Sequence, residues 1–294
     1  MAEHFTHDLY KHTENIADAD AVAFAFVNKE KAVAFPYKQV DLAPHELRAN
    51  VLYAGLCHSD SLSVRSKWGQ ASYPLAPGHE IIGEVSEVGA DVKDFKKGDK
   101  VAFGTLRAVC GDCKYCNINK EPLCQEVKEE KFTYGYHWGG YSTQLQQPAN
   151  FFFKVPENLD LARAAPLLCA GVTVYNPIKQ YLKKGMKTAV IGVGGLGHLA
   201  VQFLAKLGHE VTGVSTTLDK SELIRGLGAT DVLASTDPEQ MKKHAGKYDL
   251  IINTIPVSSN LEEYLSLTAP FGYFVQVGLP DVEEKVTFGI NPLV

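Results

Sequence analysis

No apolar run long enough to span a bilayer survives uninterrupted in these 294 residues. The longest, from about Ala189 to Ala205, is broken by Gly192, Gly194, Gly195, Gly197 and His198. The opening segment MAEHFTHDLYKHTENIADAD lacks the apolar core of a signal peptide and the basic bias of a transit sequence. Lysine and arginine form no cluster and the net charge is −5, which argues against a nucleic-acid surface. Internal repeats and low-complexity tracts are also lacking. Cysteine is scarce, six residues in all, and nothing else suggests secretion, so a disulfide framework is disfavoured. These absences point to a cytoplasmic chain with reduced thiols. What remains, 45% apolar and 21% charged, suits a soluble globular protein of one large or two ordinary domains.

The two halves differ in rhythm. The first offers short β-rich segments (AVAFAFV, LRANVLYAGL, IIGEVSEVG, KVAFGTLRAV, GGYSTQLQQP) separated by Gly and Pro. From about Lys183, compact apolar runs (MKTAVIGV, EVTGV, DLIINTI, FGYFVQVGL) alternate with amphipathic stretches such as GLGHLAVQFLAKLG and NLEEYLSLTA. That alternation predicts βαβ units and a buried parallel sheet. The boundary falls between Cys169 and Tyr181, giving expected domains 1–169 and 170–294. His4, His7 and His12 carry no paired spacing and read as a solvated tail.

Cys110, Cys113, Cys116 and Cys124 form a C-x2-C-x2-C-x7-C array in a charged loop. Four thiolates this close can complete a tetrahedral shell around one Zn²⁺ with no position open for chemistry, a structural site. Redox Cys-x2-Cys chemistry uses one pair at a helix start, unlike this loop. A second constellation is more scattered: Cys57 and Asp60 in GLCHSD, His79 and Glu80 in PLAPGHE, and Cys169 in LLCAGVT. Two thiolates and an imidazole would make a catalytic zinc shell with one position free, and Asp60 could fix the His79 tautomer. From spacing alone, two buried thiols and a loop histidine fit as well.

The segment GHEIIGEVSEVGADV satisfies G-H-E-x2-G-x5-G-x2-V through Gly78, His79, Glu80, Gly83, Gly89 and Val92. With GLCHSD, the four-cysteine array, LLCAGVT and VGLP, the chain resembles the zinc-containing medium-chain dehydrogenase/reductases. WGQASYPLAPGHE and LEEYLSLTAPFGYFVQVGLP bring it nearest the cinnamyl alcohol dehydrogenase-like branch. The resemblance runs from roughly Ala32 to the C-terminus. It implies an α/β protein: a GroES-like β-rich catalytic domain carrying two zinc ions, plus a Rossmann doubly wound parallel sheet, with the active site in the cleft between them. By position it implies that Cys57, His79 and Cys169 hold the catalytic zinc, with Glu80 as the nearby carboxylate. Ser59 would bond the substrate oxygen and start a proton relay, and His58 would lie near the cofactor phosphates. The implied substrate is a small aryl or medium-length aldehyde or alcohol.

VIGVGGLGHLAVQFLAKLG contains G-x-G-x-x-G at Gly192, Gly194 and Gly197, after a strand and opening a helix. With Gly195 and Leu196, these residues form a turn that lets backbone approach a pyrophosphate at the helix N-terminus. The next strand ends in Ser215, where an NAD site would place a carboxylate on the ribose 2′-hydroxyl. Ser215, Thr216, Thr217 and Lys220 instead offer hydroxyls and positive charge to a 2′-phosphate, so NADP(H) is the expected cofactor. Asp219 is expected to cap the following helix.

Two features depart from the family pattern. Many relatives finish the relay with a histidine where this chain has Leu62, leaving cofactor ribose hydroxyls, a water or His58 as the proton's exit. The chain also stops at NPLV, where relatives continue for several dozen residues, so the last Rossmann strand and the dimer-forming edge of a usually homo-oligomeric family are expected to be missing. FGYFVQVGL would then be an uncovered apolar edge. Two alternative readings share these motifs: an NAD-linked polyol dehydrogenase, against which Ser215 speaks, and a non-catalytic zinc-stabilised nucleotide-binding protein. Trp68 and Trp138 are possible pocket walls, though simple packing is the commoner role.

Overall fold

The computed structural model describes residues 10–12, 16–69, 71–127, 131–133, 138–256 and 261–285. His4, His7 and the final run 291–294 lie outside the described residues. The chain divides into two compact units, Met1–Cys169 and Ala170–Val294.

The first unit is built from antiparallel strands. Tyr10–His12 (β1), Ala21–Phe26 (β2) and Ala32–Gln39 (β3) form one small sheet in the order β1-β3-β2. Glu46–Ala54 (β4), Ile81–Val88 (β5), Lys100–Phe103 (β6), Gln144–Pro148 (β7) and Phe152–Lys154 (β8) form a second sheet ordered β7-β4-β5-β6-β8. Leu47, Ala49, Ile81, Val85, Val101, Phe103 and Leu145 meet in its core. Strand β4 alternates more and less buried residues at its start, whereas β5 and β6 carry consecutive buried residues because Ile82 and Ala102 pack on a second face against Ala164 and Ala165. Between β4 and β5 a short helix, His58–Val64 (α1), breaks the β pattern. It starts where Cys57 is extended and Asp60, three residues on, accepts from the Cys57 N–H at 3.1 Å, one half of a capping box. Further along come the turn of helix Leu161–Ala164 (α2) and a 3-10 turn at Ala165–Leu168 that delivers Cys169.

The second unit opens with helix Ala170–Tyr181 (α3) and then alternates strand and helix: Thr188–Ile191 (β9), Gly197–Lys206 (α4), Val211–Ser215 (β10), Ser221–Gly226 (α5), Asp231–Ala234 (β11), Pro238–His244 (α6), Tyr248–Asn253 (β12), Leu261–Leu265 (α7) and Thr268–Gln276 (β13). All pairings are parallel, in the order β11-β10-β9-β12-β13. Numbered within the unit this is 3-2-1-4-5, the doubly wound dinucleotide-binding order. Strand β9 is buried at every residue because both sheet faces are covered. Val190, Leu250 and Ile252 pack on one face with Ala200, Val201 and Leu204 of α4, while Ala189, Ile191 and Ile251 pack on the other with Met241 and Tyr264.

Two local expectations come out differently: His12 is not part of a solvated tail but pairs with Tyr37 of β3 at the end of β1, and Asp219 is not a cap. One strand leaves no sequence reading, and Trp138 takes the commoner of its two roles. Strand β11 is only four residues long and begins at an aspartate, so it leaves little trace in the sequence pattern. Asp219 does not cap α5: Lys220 occupies the N-cap, and Asp219 Oδ2 instead accepts from Thr217 Oγ1 at 3.0 Å. Trp138 is packing: it stacks on Tyr37 with ring centroids 5.3 Å apart and belongs to the core of the small sheet. Among the described residues no helix is long and apolar enough to cross a membrane.

Candidate metal centres and nucleotide site

The four-cysteine loop folds on itself through tight backbone turns. Gly111 at φ 74° and Asn119 at φ 55° reverse the chain, and a 3-10 turn at Cys116–Ile118 turns it inward. The sulfurs lie 3.6 Å apart for Cys113–Cys116 and Cys110–Cys124, and 3.8 Å apart for Cys110–Cys116. Four sulfurs about 2.3 Å from one tetrahedral Zn²⁺ sit roughly 3.8 Å from each other, whereas a disulfide needs about 2.0 Å. All six cysteines are free thiols. Backbone N–H groups aim at these sulfurs. Cys113 is lowered chiefly by the Cys116 N–H. At Cys124 burial opposes ionisation, but donors from Cys110, Val127 and Glu126 outweigh it and bring the thiol down to about 6. Burial, with the Cys113 thiol, pushes Cys116 up to about 12, so a bound cation would have to displace its proton. Four thiols at this spacing fit zinc.

The second cluster brings together residues remote in sequence. Ligand atoms of Cys57, His79, Glu80 and Cys169 all lie within 4.8 Å of one another, with His79 and Glu80 buried. Asp60 organises it. Its Oδ1 accepts from the Gly78 N–H at 2.9 Å and pairs with His79 Nδ1 at 2.9 Å; Oδ2 accepts from the Cys57 N–H at 3.1 Å and from the Tyr141 hydroxyl at 2.8 Å. With Nδ1 on the carboxylate, Nε2 is the ring atom left for a metal. Gly78 has φ 105°, and a Cβ there would meet Gly140 N at 2.8 Å, so only glycine lets this turn deliver His79.

The electrostatics follow from this packing. Burial works against the Asp60 carboxylate, but the His79 hydrogen bond and charge, with the Cys57 and Tyr141 donors, hold it below its ordinary range. Burial also works against a charged His79, yet Asp60 and Cys57 push it up to about 9. Cys57 is the thiolate of the thiol pair, brought down to about 4 chiefly by a hydrogen bond from Cys169, which that same bond and burial keep protonated. A divalent cation would displace these protons, and two sulfurs with one imidazole and an adjacent carboxylate suit zinc.

Cys57 also lines an open cavity of about 1210 Å³ whose walls include Phe24, Phe26, Leu56 and Val64, with His58 on its border. Ser59 Oγ lies 3.5 Å from Cys57 Sγ, in the first turn of α1. Leu62 is half-buried on the same helix and is not among the cavity's lining residues, and neither is the half-buried Trp68.

In the second unit, Gly192 follows β9 at φ 80° and its N–H bonds Val214 O at 2.9 Å, so it lies beside the end of β10. A Cβ on Gly197 would meet Gly192 O at 2.0 Å, while Gly194 and Gly195 face open space at the start of α4. The turn therefore presents bare backbone and a helix N-terminus, the cradle a pyrophosphate needs. Ser215 sits at the C-terminal end of β10, followed by the exposed Thr216, Thr217 and Lys220. Thr217 Oγ1 is turned to Asp219.

Sequence reasoning passed over Tyr141. It lies 81 positions from Asp60, and its only sequence cue is its place in GGYSTQLQQP.

Residues 43–157 match the alcohol dehydrogenase GroES-like domain, and residues 195–294 match the zinc-binding dehydrogenase domain. The chain is 41% identical over 270 residues to cinnamyl alcohol dehydrogenase 8 of Arabidopsis thaliana, covering 88% of this chain and 74% of the relative. It is 40% identical over 269 residues to a probable mannitol dehydrogenase of Fragaria ananassa, with the same coverages. Its fold is similar to that of CAD from Helicobacter pylori complexed with NADP(H), with a TM-score of 0.83, 35% identity and coverage of 92% of this chain and 79% of that one. With the Cys–His–Cys cluster, the four-thiol loop and the glycine cradle on a 3-2-1-4-5 sheet, these likenesses show that the chain belongs to the zinc-containing medium-chain dehydrogenase/reductase family, in its cinnamyl alcohol dehydrogenase-like branch.

Proposed function

We propose that the protein is a zinc-dependent alcohol dehydrogenase and aldehyde reductase that uses NADP(H) on aryl or medium-length aldehydes and primary alcohols. The observation that carries this reading is the convergence of Cys57, His79, Glu80 and Cys169 beside a largely apolar cavity. Cys57, His79 and Cys169 are the ligands of one zinc, and Cys110, Cys113, Cys116 and Cys124 those of a second, structural one. Zinc at the buried site supplies Lewis-acid polarisation of a carbonyl oxygen, and NADPH supplies the hydride.

The chain's own residues do the rest. Asp60 orients His79 and fixes its tautomer. Glu80 places a buried carboxylate beside the ligands. Ser59, on the first turn of α1, bonds the substrate oxygen and passes or receives the proton there. Leu62 cannot carry that proton further, and the exposed His58 beside the cavity is the nearby group that can hand it to solvent. Phe24, Phe26 and Leu56 give the cavity apolar walls that favour an aryl substrate over a polyol. In the other unit, Gly192, Gly194, Gly195, Leu196 and Gly197 receive the pyrophosphate, and Ser215, Thr216 and Lys220 face the 2′-phosphate, while Thr217 gives its hydroxyl proton to Asp219.

The test is cofactor-resolved turnover of cinnamaldehyde and mannitol. NADPH-linked reduction of cinnamaldehyde should dominate; efficient NAD-linked oxidation of mannitol with none of the former would contradict the reading. Replacing Ser215 by Asp sets a carboxylate against the 2′-phosphate. NADPH affinity should fall about 10- to 100-fold, corresponding to roughly 1.5–3 kcal/mol of charge-assisted contacts, and NADH use should improve relatively. Equal affinity for both cofactors before mutation would show that this turn does not read the phosphate.

A further inference from the structure

Tyr141 belongs to neither ligand loop, yet its hydroxyl reaches Asp60, the carboxylate that bonds His79 of the buried cluster. It donates to Asp60 Oδ2 at 2.8 Å and lies 3.2 Å from Gly55 O. A hydroxyl has one proton, and the charged acceptor wins it. The backbone around Tyr141 is fixed from two sides: its N–H donates to Pro77 O at 2.9 Å, and its carbonyl accepts from the Phe24 N–H at 2.7 Å. The ring is equally constrained, since a Cβ on Gly78 would come within 2.9 Å of Tyr141 Cδ1.

The other three donors to Asp60 all come from the ligand segments, namely the Cys57 N–H, the Gly78 N–H and His79 Nδ1. Those contacts move with the ligands. The tyrosine is the donor that ties the carboxylate to a different segment of the chain, the bend just ahead of β7. On that ground we infer that Tyr141 is a positioning residue for the buried metal site, acting through Asp60 to hold His79 and the Cys57 turn in ligating geometry. The inference rests on the assignment of Cys57, His79 and Cys169 as zinc ligands. A hydroxyl that merely satisfies a core acceptor would support general stability; a positioning hydroxyl acts selectively on one of two metal sites in the same unit.

Tyr141→Phe keeps the ring and removes only the hydroxyl. Zinc retention of the full chain is measured by competition with a chromogenic chelator, with Cys57→Ser marking which of two release steps belongs to the buried site. Partners that orient metal ligands are worth about 10- to 100-fold in metal affinity. Zinc at the buried site should therefore bind about tenfold more weakly in Tyr141→Phe, with the four-cysteine zinc unchanged. Cobalt substituted at the buried site should show an altered visible spectrum. In an Asp60→Asn background the same hydroxyl deletion should cost little, since the two residues act as a unit.

Unchanged retention at both sites would overturn the inference, as would equal weakening at both sites with a lowered melting temperature. Full additivity with Asp60→Asn would overturn it too. An unmutated chain holding no zinc that Cys57→Ser removes would instead overturn the ligand assignment, and the inference with it.

Discussion

The two metal clusters of the first unit solve the same problem in opposite ways. The four-cysteine loop draws all four sulfurs from Cys110–Cys124, closes on itself with sulfurs 3.6–3.8 Å apart, and needs little beyond local turns. The buried cluster gathers Cys57, His79, Glu80 and Cys169 from remote segments, with Asp60 bonded to His79 and to the Tyr141 hydroxyl behind them. The first offers four equivalent soft donors and no further coordination position, which suits holding a loop together. The second mixes thiol, imidazole and carboxylate beside a cavity, which suits exchange of a ligand during chemistry. Local geometry makes a clasp, and long-range geometry makes a site.

The sharpest way to break this division of labour is to remove one ligand from each cluster. Cys57→Ser should lower NADPH-linked aldehyde reduction by about a thousandfold or more. Lewis-acid stabilisation is worth several kcal/mol, and each 1.4 kcal/mol or so is a factor of ten. Its far-UV circular dichroism should stay that of the unmutated protein. Cys113→Ser should do the reverse, lowering the melting temperature by several degrees, at roughly 2–4 °C per kcal/mol lost, while the remaining folded protein keeps turnover within about tenfold. If Cys113→Ser abolished turnover in protein that stayed folded, the loop would be more than a clasp.

The smallest effect lies in the acid limb of stability. Asp60 is held below its ordinary range in the folded state, net of the burial that opposes its charge. Its contribution is therefore fully present above the unfolded pKa of about 3.9 and is lost as pH falls through the folded value. The difference in melting temperature between Asp60→Asn and the unmutated protein should narrow as pH drops from 6 toward 2. A constant gap would mean that the carboxylate's charge adds nothing beyond what the amide provides.

Legibility in the sequence followed the same local and long-range divide. The four-cysteine array could be read because its ligands are close enough for spacing to carry geometry. The G-x-G-x-x-G turn could be read because strand, turn and helix are contiguous, and Gly197 packs against Gly192 O as that fingerprint requires. The grouping of Cys57, His79 and Cys169 is one of two readings that residue types and spacing leave open, and family resemblance decides it. Tyr141 escaped notice because a hydrogen bond across 81 residues leaves no periodic trace. Asp219 misled for a local reason: Thr217 competes for its carboxylate, and Lys220 takes the cap position.

The central claim is that the buried cluster holds the zinc that does chemistry and the loop holds one that does not. Graded chelation of the full chain, with zinc content, melting temperature and NADPH-linked cinnamaldehyde turnover followed on the same samples, tests it most directly. Turnover should vanish in step with loss of the zinc assigned to Cys57, His79 and Cys169, while the four-cysteine zinc is still bound and the protein still melts cooperatively. Turnover that persists after that zinc is gone would contradict the account.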